Sequence, residues 1–136
     1  MQYQKITVGG LLYHENKVLV IRRSSKESYL TGFYELPGGK IDFGDNPEQS
    51  LEREFLEEVN LKVKAVDVYR VFTYVSDEGK RHTVELVYLV KLDDDVKNIK
   101  LSEEHDDFKW VSTEELDSIK MSDEIKTNIK LGLEKL

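Results

Sequence analysis

The chain has 136 residues, a formal net charge of -7 at pH 7 and no cysteine. A domain of this length buries a core without staples, and the missing cysteines exclude disulfides and thiolate metal sites. The acidic balance argues against binding of a nucleic acid polymer, which requires a basic face, but allows a mononucleotide, because a divalent cation reverses the local charge.

The N-terminus carries no targeting signal that the sequence pattern can identify. Met1 to Lys5 has no apolar run behind a basic flank, so neither a signal peptide nor a lipidation motif is expected. The apolar stretches are about strand length, far short of the ~20 residues of a membrane span. With no repeat or linker in the sequence, we expect one domain over residues 1–136, no membrane association and a cytoplasmic location.

The first elements are β-rich. Ile6–Leu12 and Val18–Ile21 are apolar runs around a polar turn and predict a hairpin. A polar loop is expected over Ser24–Gly32. Phe33–Leu36 then predicts a short strand, closed by a turn at Pro37-Gly38-Gly39.

A helix is predicted from Asn46 to Val59. Asn46 suits the N-cap, Pro47 the first helical position, and Gln49 stands at capping-box spacing. An apolar stripe at four-residue steps is formed by Leu51, Phe55 and Val59. Asn60 suits the left-handed residue that ends a helix.

The second half continues the alternation of strands and helices. Leu61–Tyr74 and Thr83–Val90 predict two long strands joined by a turn at Asp77–Lys80, and Phe108–Val111 predicts a short one. The pattern therefore indicates an α/β protein with helices packed on a mixed sheet.

Two helices are expected near the C-terminus. Ser112 with Glu115 is a capping box that opens a short helix, and Ser122 opens the final helix. The apolar stripe of the final helix is predicted to contain Ile125, Ile129, Leu133 and Leu136.

The predicted first helix carries three glutamates on one face. Glu54, Glu57 and Glu58 stand at i, i+3 and i+4, beside the apolar stripe. Their mutual repulsion costs a few tenths of a kcal/mol for each close pair, and a bound cation would relieve it. Oxygen ligands select Mg²⁺, Mn²⁺ or Ca²⁺, and Mg²⁺ is typical when phosphate oxygens complete the coordination. Alone, the three residues are more typical of a solvated acidic face than of a metal site.

The surrounding segment makes the metal hypothesis specific. Residues 38–61 read GGKIDFGDNPEQSLEREFLEEVNL. They resemble the Nudix box, G-x5-E-x7-R-E-U-x-E-E-x-G-U, in which U is a bulky apolar residue. The positions in register are Gly39, Arg53, Glu54, Phe55, Glu57, Glu58 and Leu61. Two positions depart mildly, Asp45 for the first Glu and Asn60 for the last Gly. GGKI and the NPEQ helix start are most similar to the MutT-like branch.

The resemblance implies an α/β/α sandwich with the box as a loop-helix-loop. It also implies that Glu57 and Glu58 bind the divalent metal and that Glu54 binds metal or acts as general base. Arg53 would orient Glu54 through a charge-assisted hydrogen bond. A carbonyl of the double glycine, at Gly39 or its neighbour, would join the metal shell.

The remaining site residues lie outside the helix. A glutamate of a later loop contributes to catalysis in many family members, and here Glu104 is the candidate, with Glu103 as runner-up. Arg23 and Lys40 are the candidate phosphate contacts. The adjacent Arg22 should point away from Arg23, because side chains alternate along a strand. Acidic residues suited to an outer shell are Asp42 and Asp45.

The predicted reaction is hydrolysis of a phosphoanhydride bond. We expect Mg²⁺, replaceable by Mn²⁺, and a nucleoside triphosphate, oxidised ones included, converted to the monophosphate and pyrophosphate. The alternatives are an ADP-ribose or nucleotide-sugar pyrophosphatase and a non-catalytic nucleotide-sensing domain. The proline that marks ADP-ribose members is missing beyond the box, since the only prolines are Pro37 and Pro47. The chain is expected to be a monomer or a homodimer.

Overall fold

A seven-stranded mixed sheet lies between two α-helices in the computed structural model, which describes residues 1–27 and 29–136. Its strands are β1 (Tyr3–His14), β2 (Lys17–Arg23), β3 (Tyr34–Glu35), β4 (Gly38–Lys40), β5 (Val63–Ser76), β6 (Arg81–Leu92) and β7 (His105–Val111). The helices are α1 (Pro47–Val59) and α2 (Asp123–Leu133). The loop predicted over 24–32 includes Ser28, which lies outside the described residues.

The sheet is organised around β1. The strand order is β3-β2-β1-β6-β5, with β4 also paired to β1 and β7 to β2. β1 and β6 run parallel, whereas the other named strand pairs are antiparallel. Glu15 and Asn16, both at positive φ, form the tight two-residue turn from β1 to β2. The predicted hairpin and the predicted mixed sheet are confirmed.

Each helix covers one face of the sheet and closes one core layer. The layer under α1 includes Leu51, Phe55 and Val59, the predicted stripe, together with Val8 and Leu12 of β1. The layer under α2 joins Ile129 to Leu11 and Val87. The α/β/α sandwich is therefore observed, and the side chains of successive β1 residues feed opposite cores.

The ends of α1 follow the sequence signals. The side chain of Asn46 accepts a hydrogen bond from the Gln49 backbone N–H at 2.8 Å, and Pro47 is the first helical residue. Asn60 adopts the left-handed conformation at φ 59° and donates its N–H to the Leu56 carbonyl at 3.1 Å. The box helix thus begins and ends where the sequence predicts.

The double glycine, Gly38-Gly39, lies in a strand, so the turn predicted for it from the sequence is wrong. Gly38–Lys40 forms β4, with Gly38 opposite Gly9 and Lys40 opposite Thr7 of β1. A side chain on Gly38 would overlap the carbonyl oxygen of Val8. Glycine is therefore needed here because the two backbones approach closely. The sequence alone does not distinguish this need from turn formation.

Three smaller differences concern the C-terminal half. The helix after Ser112 is a 3₁₀-helix, Thr113–Ser118, although the Ser112 N–H does donate to the Glu115 carboxylate at 3.1 Å. Leu136 lies beyond α2 and is exposed, because the helix ends at Leu133 and does not carry the predicted stripe further. β7 begins at His105, three residues before the predicted strand.

In the described ranges, 1–27 and 29–136, neither helix has the length and apolar character needed to cross a bilayer.

Candidate active site

The three glutamates of α1 differ strongly in burial. Glu58 is 6% exposed, the side chain of Glu54 is 18% exposed and that of Glu57 is 59% exposed. The gradient follows from their positions on the helix, where Glu58 turns furthest toward the sheet. All three line one cleft of about 730 Å³ between α1, the sheet and the N-terminal end of α2.

Glu58 is a nearly buried carboxylate held by the double glycine. The Gly38 backbone N–H donates to its Oε1 at 2.8 Å. Burial raises the pKa of Glu58 well above its ordinary value, and the Gly38 hydrogen bond opposes that rise. The charges of Glu35, Glu54 and Glu104 raise the pKa further. A cation at this point would favour the ionised form of Glu58.

Gly39 makes room for Glu54. A Cβ on Gly39 would lie 2.6 Å from Cδ of Glu54 and 2.7 Å from its Oε2. Burial, and secondly the charge of Glu57, raise the pKa of Glu54, whereas Arg53 lowers it. The carboxylate of Glu54 is thus pressed against the β4 backbone, beside the Gly39 position that the sequence predicts as a metal-shell carbonyl.

Arg53 joins the box loop to the box helix. Its guanidinium contacts Asp45 at 2.6 Å and Asp42 at 3.2 Å, and lies 3.7 Å from Glu54 and 3.6 Å from Glu57. Arg53 is not among the residues that line the cleft. It acts from behind the glutamates, and the two aspartates are its partners.

The donor set fits a hard divalent cation. The polar side chains that α1 presents to the cleft are carboxylates, and β4 brings backbone carbonyls beside them. Across residues 1–27 and 29–136, no three acidic or histidine side chains converge tightly enough to hold an ion as they stand. Glu57 is turned toward Arg53 and Glu58 toward the Gly38 N–H. These side chains would have to rotate before they could share an ion.

The two candidate general bases in the loop before β7, Glu104 and Glu103, lie in different surroundings. Glu104 lines the cleft, and its charge raises the pKa of both Glu54 and Glu58. Glu103 instead pairs with Lys26 at 2.9 Å on the surface. Ser24 anchors both backbone carbonyls, with its N–H on Glu104 at 2.9 Å and its hydroxyl on Glu103 at 2.8 Å. The geometry supports Glu104 over Glu103.

A network that the sequence did not reveal surrounds Glu35. Its carboxylate contacts Nε2 of the buried His105 at 2.9 Å and Nη1 of Arg23 at 3.3 Å. Arg23 also donates to the Tyr29 carbonyl at 2.6 Å and lies 3.5 Å from Glu27. Arg23 is therefore a cation fixed in the cleft wall by its contacts, and His105 is a buried partner of Glu35. Arg22 points away from the cleft.

Four cations gather in the cleft, two of which sequence reasoning missed. Arg23 and Lys40 were predicted, and Lys5 and Arg81 join them. Burial, and then the charges of Arg81, Lys40 and Arg23, lower the pKa of Lys5. The parallel register of β1 and β6 brings Lys5 and Arg81 together, because it sets Lys5 opposite Thr83, two residues from Arg81. Such a cluster can balance a polyanion.

The floor of the cleft is a row of residues across four strands. Lys40 of β4 lies opposite Thr7 of β1, Thr7 opposite Glu85 of β6, and Glu85 opposite Phe72 of β5. Directly paired residues present their side chains on the same face of a sheet. Thr7 donates its hydroxyl to Glu85 at 3.1 Å. The sequence analysis did not single out Glu85.

Comparison with known proteins places these features in a family. Residues 4–131 match the NUDIX domain. The 8-oxo-dGTP diphosphatase of Escherichia coli strain K12 is 30% identical, with 60% of this chain and 62% of that protein covered. The nucleoside triphosphatase NudI of Klebsiella pneumoniae strain 342 is 28% identical, with 83% of this chain and 85% of that protein covered. In three curated relatives the aligned part spans 49% to 62% of their length.

The fold is shared with a solved structure. The crystal structure of the MutT protein from Methanosarcina mazei Go1 superposes with a TM-score of 0.83 at 22% identity, covering 98% of this chain and 96% of that one. The match over residues 4–131 includes the box, the sheet and most of α2. The resemblance of the box is thereby confirmed, and the chain belongs to the Nudix family.

Proposed function

We propose that this protein hydrolyses nucleoside triphosphates, oxidised ones included, to the monophosphate and pyrophosphate, with Mg²⁺ replaceable by Mn²⁺. Nudix hydrolases generally need a divalent metal ion. In the reaction, the oxygen of one water forms a bond to a phosphorus and one bridging P–O bond breaks. The water gives up a proton, and the electron pair of the broken bond leaves with the pyrophosphate or the monophosphate.

The observation that carries this proposal is the placement of opposite charges in one cleft. Glu54, Glu57 and Glu58 stand on the α1 side, and Lys5 and Arg81 lie on the sheet. A triphosphate needs both, because a cation bound by the carboxylates neutralises the bridging oxygens and the basic side chains balance the remaining charge. The names of the E. coli and K. pneumoniae relatives support a triphosphate substrate.

The protein's own residues have distinct roles in this proposal. Glu57 and Glu58, with the carbonyl of Gly39, would hold the cation, which would supply charge neutralisation on the phosphates and orientation of substrate and water. Glu104 takes the proton of the attacking water, with Glu54 as the alternative acceptor. Arg53 positions Glu54, and the remaining cleft cations, Arg23 and Lys40 among them, contact phosphate.

The test is release of phosphate and pyrophosphate from a nucleotide panel with Mg²⁺, for the wild type and Glu57→Gln. The panel holds nucleoside triphosphates, 8-oxo-dGTP, ADP-ribose, nucleotide sugars and dinucleoside polyphosphates. We expect triphosphate turnover that Glu57→Gln lowers by about 10²-fold or more. Glu78→Gln, at an exposed turn, is the matched control and should retain activity.

Each other outcome identifies a different error. Preferred turnover of ADP-ribose or a nucleotide sugar would replace the substrate class and keep the metal helix. Turnover that Glu57→Gln leaves intact would refute the role of α1. Binding of nucleotides without turnover of any panel member would favour a nucleotide-sensing domain. Calorimetric titration with Mg²⁺ and with Mn²⁺ checks the cation independently of activity.

A further inference from the structure

Glu85 is a carboxylate on the floor of the cleft without a cation. Oε1 accepts the Thr7 hydroxyl at 3.1 Å, and Oε2 lies above Gly9, where a Cβ would stand 3.7 Å away. Glu85 forms no ion pair with any residue in the described ranges. Glu85 is half-buried and lines the cleft, so its second oxygen is available to accept hydrogen bonds from a bound molecule.

The charged neighbours of Glu85 are engaged elsewhere. Arg70, two residues before Phe72, contacts Glu124 at 3.2 Å and donates to the Asn128 side chain at 2.6 Å. Its guanidinium also covers the Phe72 ring at 4.1 Å from the centroid. Arg70 is thus held by three partners and forms no ion pair with Glu85, although its charge lowers the pKa of that carboxyl. Glu35 and Glu124 add negative charge around Glu85, so this end of the cleft accepts hydrogen bonds.

The position of Glu85 suits the nucleoside part of a substrate. Glu85 lies two strands from β4, or ~10 Å across the sheet. β4 carries the glycine backbone beside the metal-binding glutamates, so a nucleotide with phosphates there would place its base near Glu85. Phe72 is directly opposite Glu85, and Tyr74 lies diagonally beyond it. The two rings, 6.1 Å apart, give this end an aromatic wall.

We propose that Glu85 reads the base of the substrate and selects guanine. This inference rests on the proposed function. Guanine presents two adjacent donors, N1–H and the N2 amino group, to one carboxylate, whereas adenine and cytosine each present one amino donor beside a ring-nitrogen acceptor. A carboxylate that already accepts from Thr7 can accept from both donors through its remaining lone pairs. 8-Oxoguanine keeps the same edge, so Glu85 would accept the normal and the oxidised base alike.

The experiment is calorimetric binding of GMP, dGMP, IMP and AMP to the full chain in Mg²⁺ buffer. IMP lacks only the N2 amino group, and AMP also lacks the N1–H. For the wild type we expect GMP to bind about tenfold more tightly than IMP, and IMP more tightly than AMP. Glu85→Gln should bring the GMP and IMP affinities within about threefold. Glu78→Gln should retain the wild-type ratio, and thermal melting confirms that each variant is folded.

The opposing results are equally definite. Equal affinities of the wild type for GMP and IMP, or a preference that survives Glu85→Gln, would overturn the proposal. A difference between GMP and dGMP that Glu85→Gln removes would assign the carboxylate to the ribose hydroxyl instead. Because binding is measured without turnover, failure of hydrolysis would refute the proposed reaction and leave this titration interpretable.

Discussion

Gly39 lies so close to Glu54 that a methyl group on the glycine would stand 2.6 Å from the carboxylate carbon. The contact joins β4, which carries the backbone carbonyl of Gly39, to α1, which carries the three glutamates. Gly39→Ala should displace Glu54 without disturbing the core, and a misplacement of ~1 Å costs about 10²-fold in kcat/KM. Steady-state kinetics and thermal melting test this. Full activity in Gly39→Ala would show that the contact does not set the geometry.

Glu104 and Glu103 are a matched pair in which only the first lines the cleft. If Glu104 is the general base, Glu104→Gln should lower kcat by 10²–10⁴-fold, the usual contribution of such a group. Glu103→Gln removes a surface ion pair with Lys26, worth about 0–1 kcal/mol, and should leave kcat unchanged. Equal effects of the two substitutions would argue against a base in this loop and favour Glu54.

Arg53 contacts four carboxylates from behind the face of α1 that is proposed to bind metal. A lysine cannot reproduce the fork of the guanidinium, so Arg53→Lys should loosen Glu54 and Glu57 together. We expect a loss of about 10–100-fold in Mg²⁺ affinity or in kcat/KM. Arg22→Lys, at a surface pair with Asp106, is the control. Unchanged Mg²⁺ affinity and kcat/KM in Arg53→Lys would show that the positive charge of Arg53 matters and the geometry of its guanidinium does not.

Burial raises the pKa of Glu85, as do Glu35 and Glu124, whereas the Thr7 hydroxyl and Arg70 lower it. The folded protein therefore holds the proton more tightly than the unfolded chain does, and stability falls as pH rises from 4.5, the ordinary pKa, through the raised value. Glu85→Gln removes the ionisable carboxyl group and therefore this loss of stability at higher pH. The variant should be more stable than the wild type at pH 8, with the difference shrinking toward pH 4.

Urea unfolding at several pH values measures this effect. A difference independent of pH would mean that Glu85 has the same pKa in the folded protein as in the unfolded chain. Lower stability of the variant at every pH would show that the Thr7 hydrogen bond outweighs the cost of the buried charge. Either result would remove the physical reason for a ligand at Glu85.

Local signals predicted the box helix and its ends, because caps and apolar spacing act within a few residues. Asn46, Pro47 and Asn60 are all found where the sequence places them. The same spacing grouped the three glutamates but did not predict that Glu58 is the buried one, since that depends on how α1 lies over β4.

The rest of the cleft depends on pairing between distant strands. Glu85, Lys5 and Arg81 enter it through the register of β1 with β6, and no local pattern in either strand records that register. Glu35 and His105 meet across 70 residues of sequence. The strand at Gly38–Lys40 was missed for a related reason, because glycines that permit close approach look like a turn until the partner strand is known.

The parallel pairing of β1 with β6 also bears on how the protein acquires its cleft. Thr7 and Glu85 are separated by 78 residues, so their contact closes a long loop of chain, and such contacts slow folding. During synthesis the box helix is complete well before β6 leaves the ribosome. Until β6 docks, the cleft lacks the wall that carries Arg81, Thr83 and Glu85, so nascent chains would carry the whole box motif before the cleft is closed.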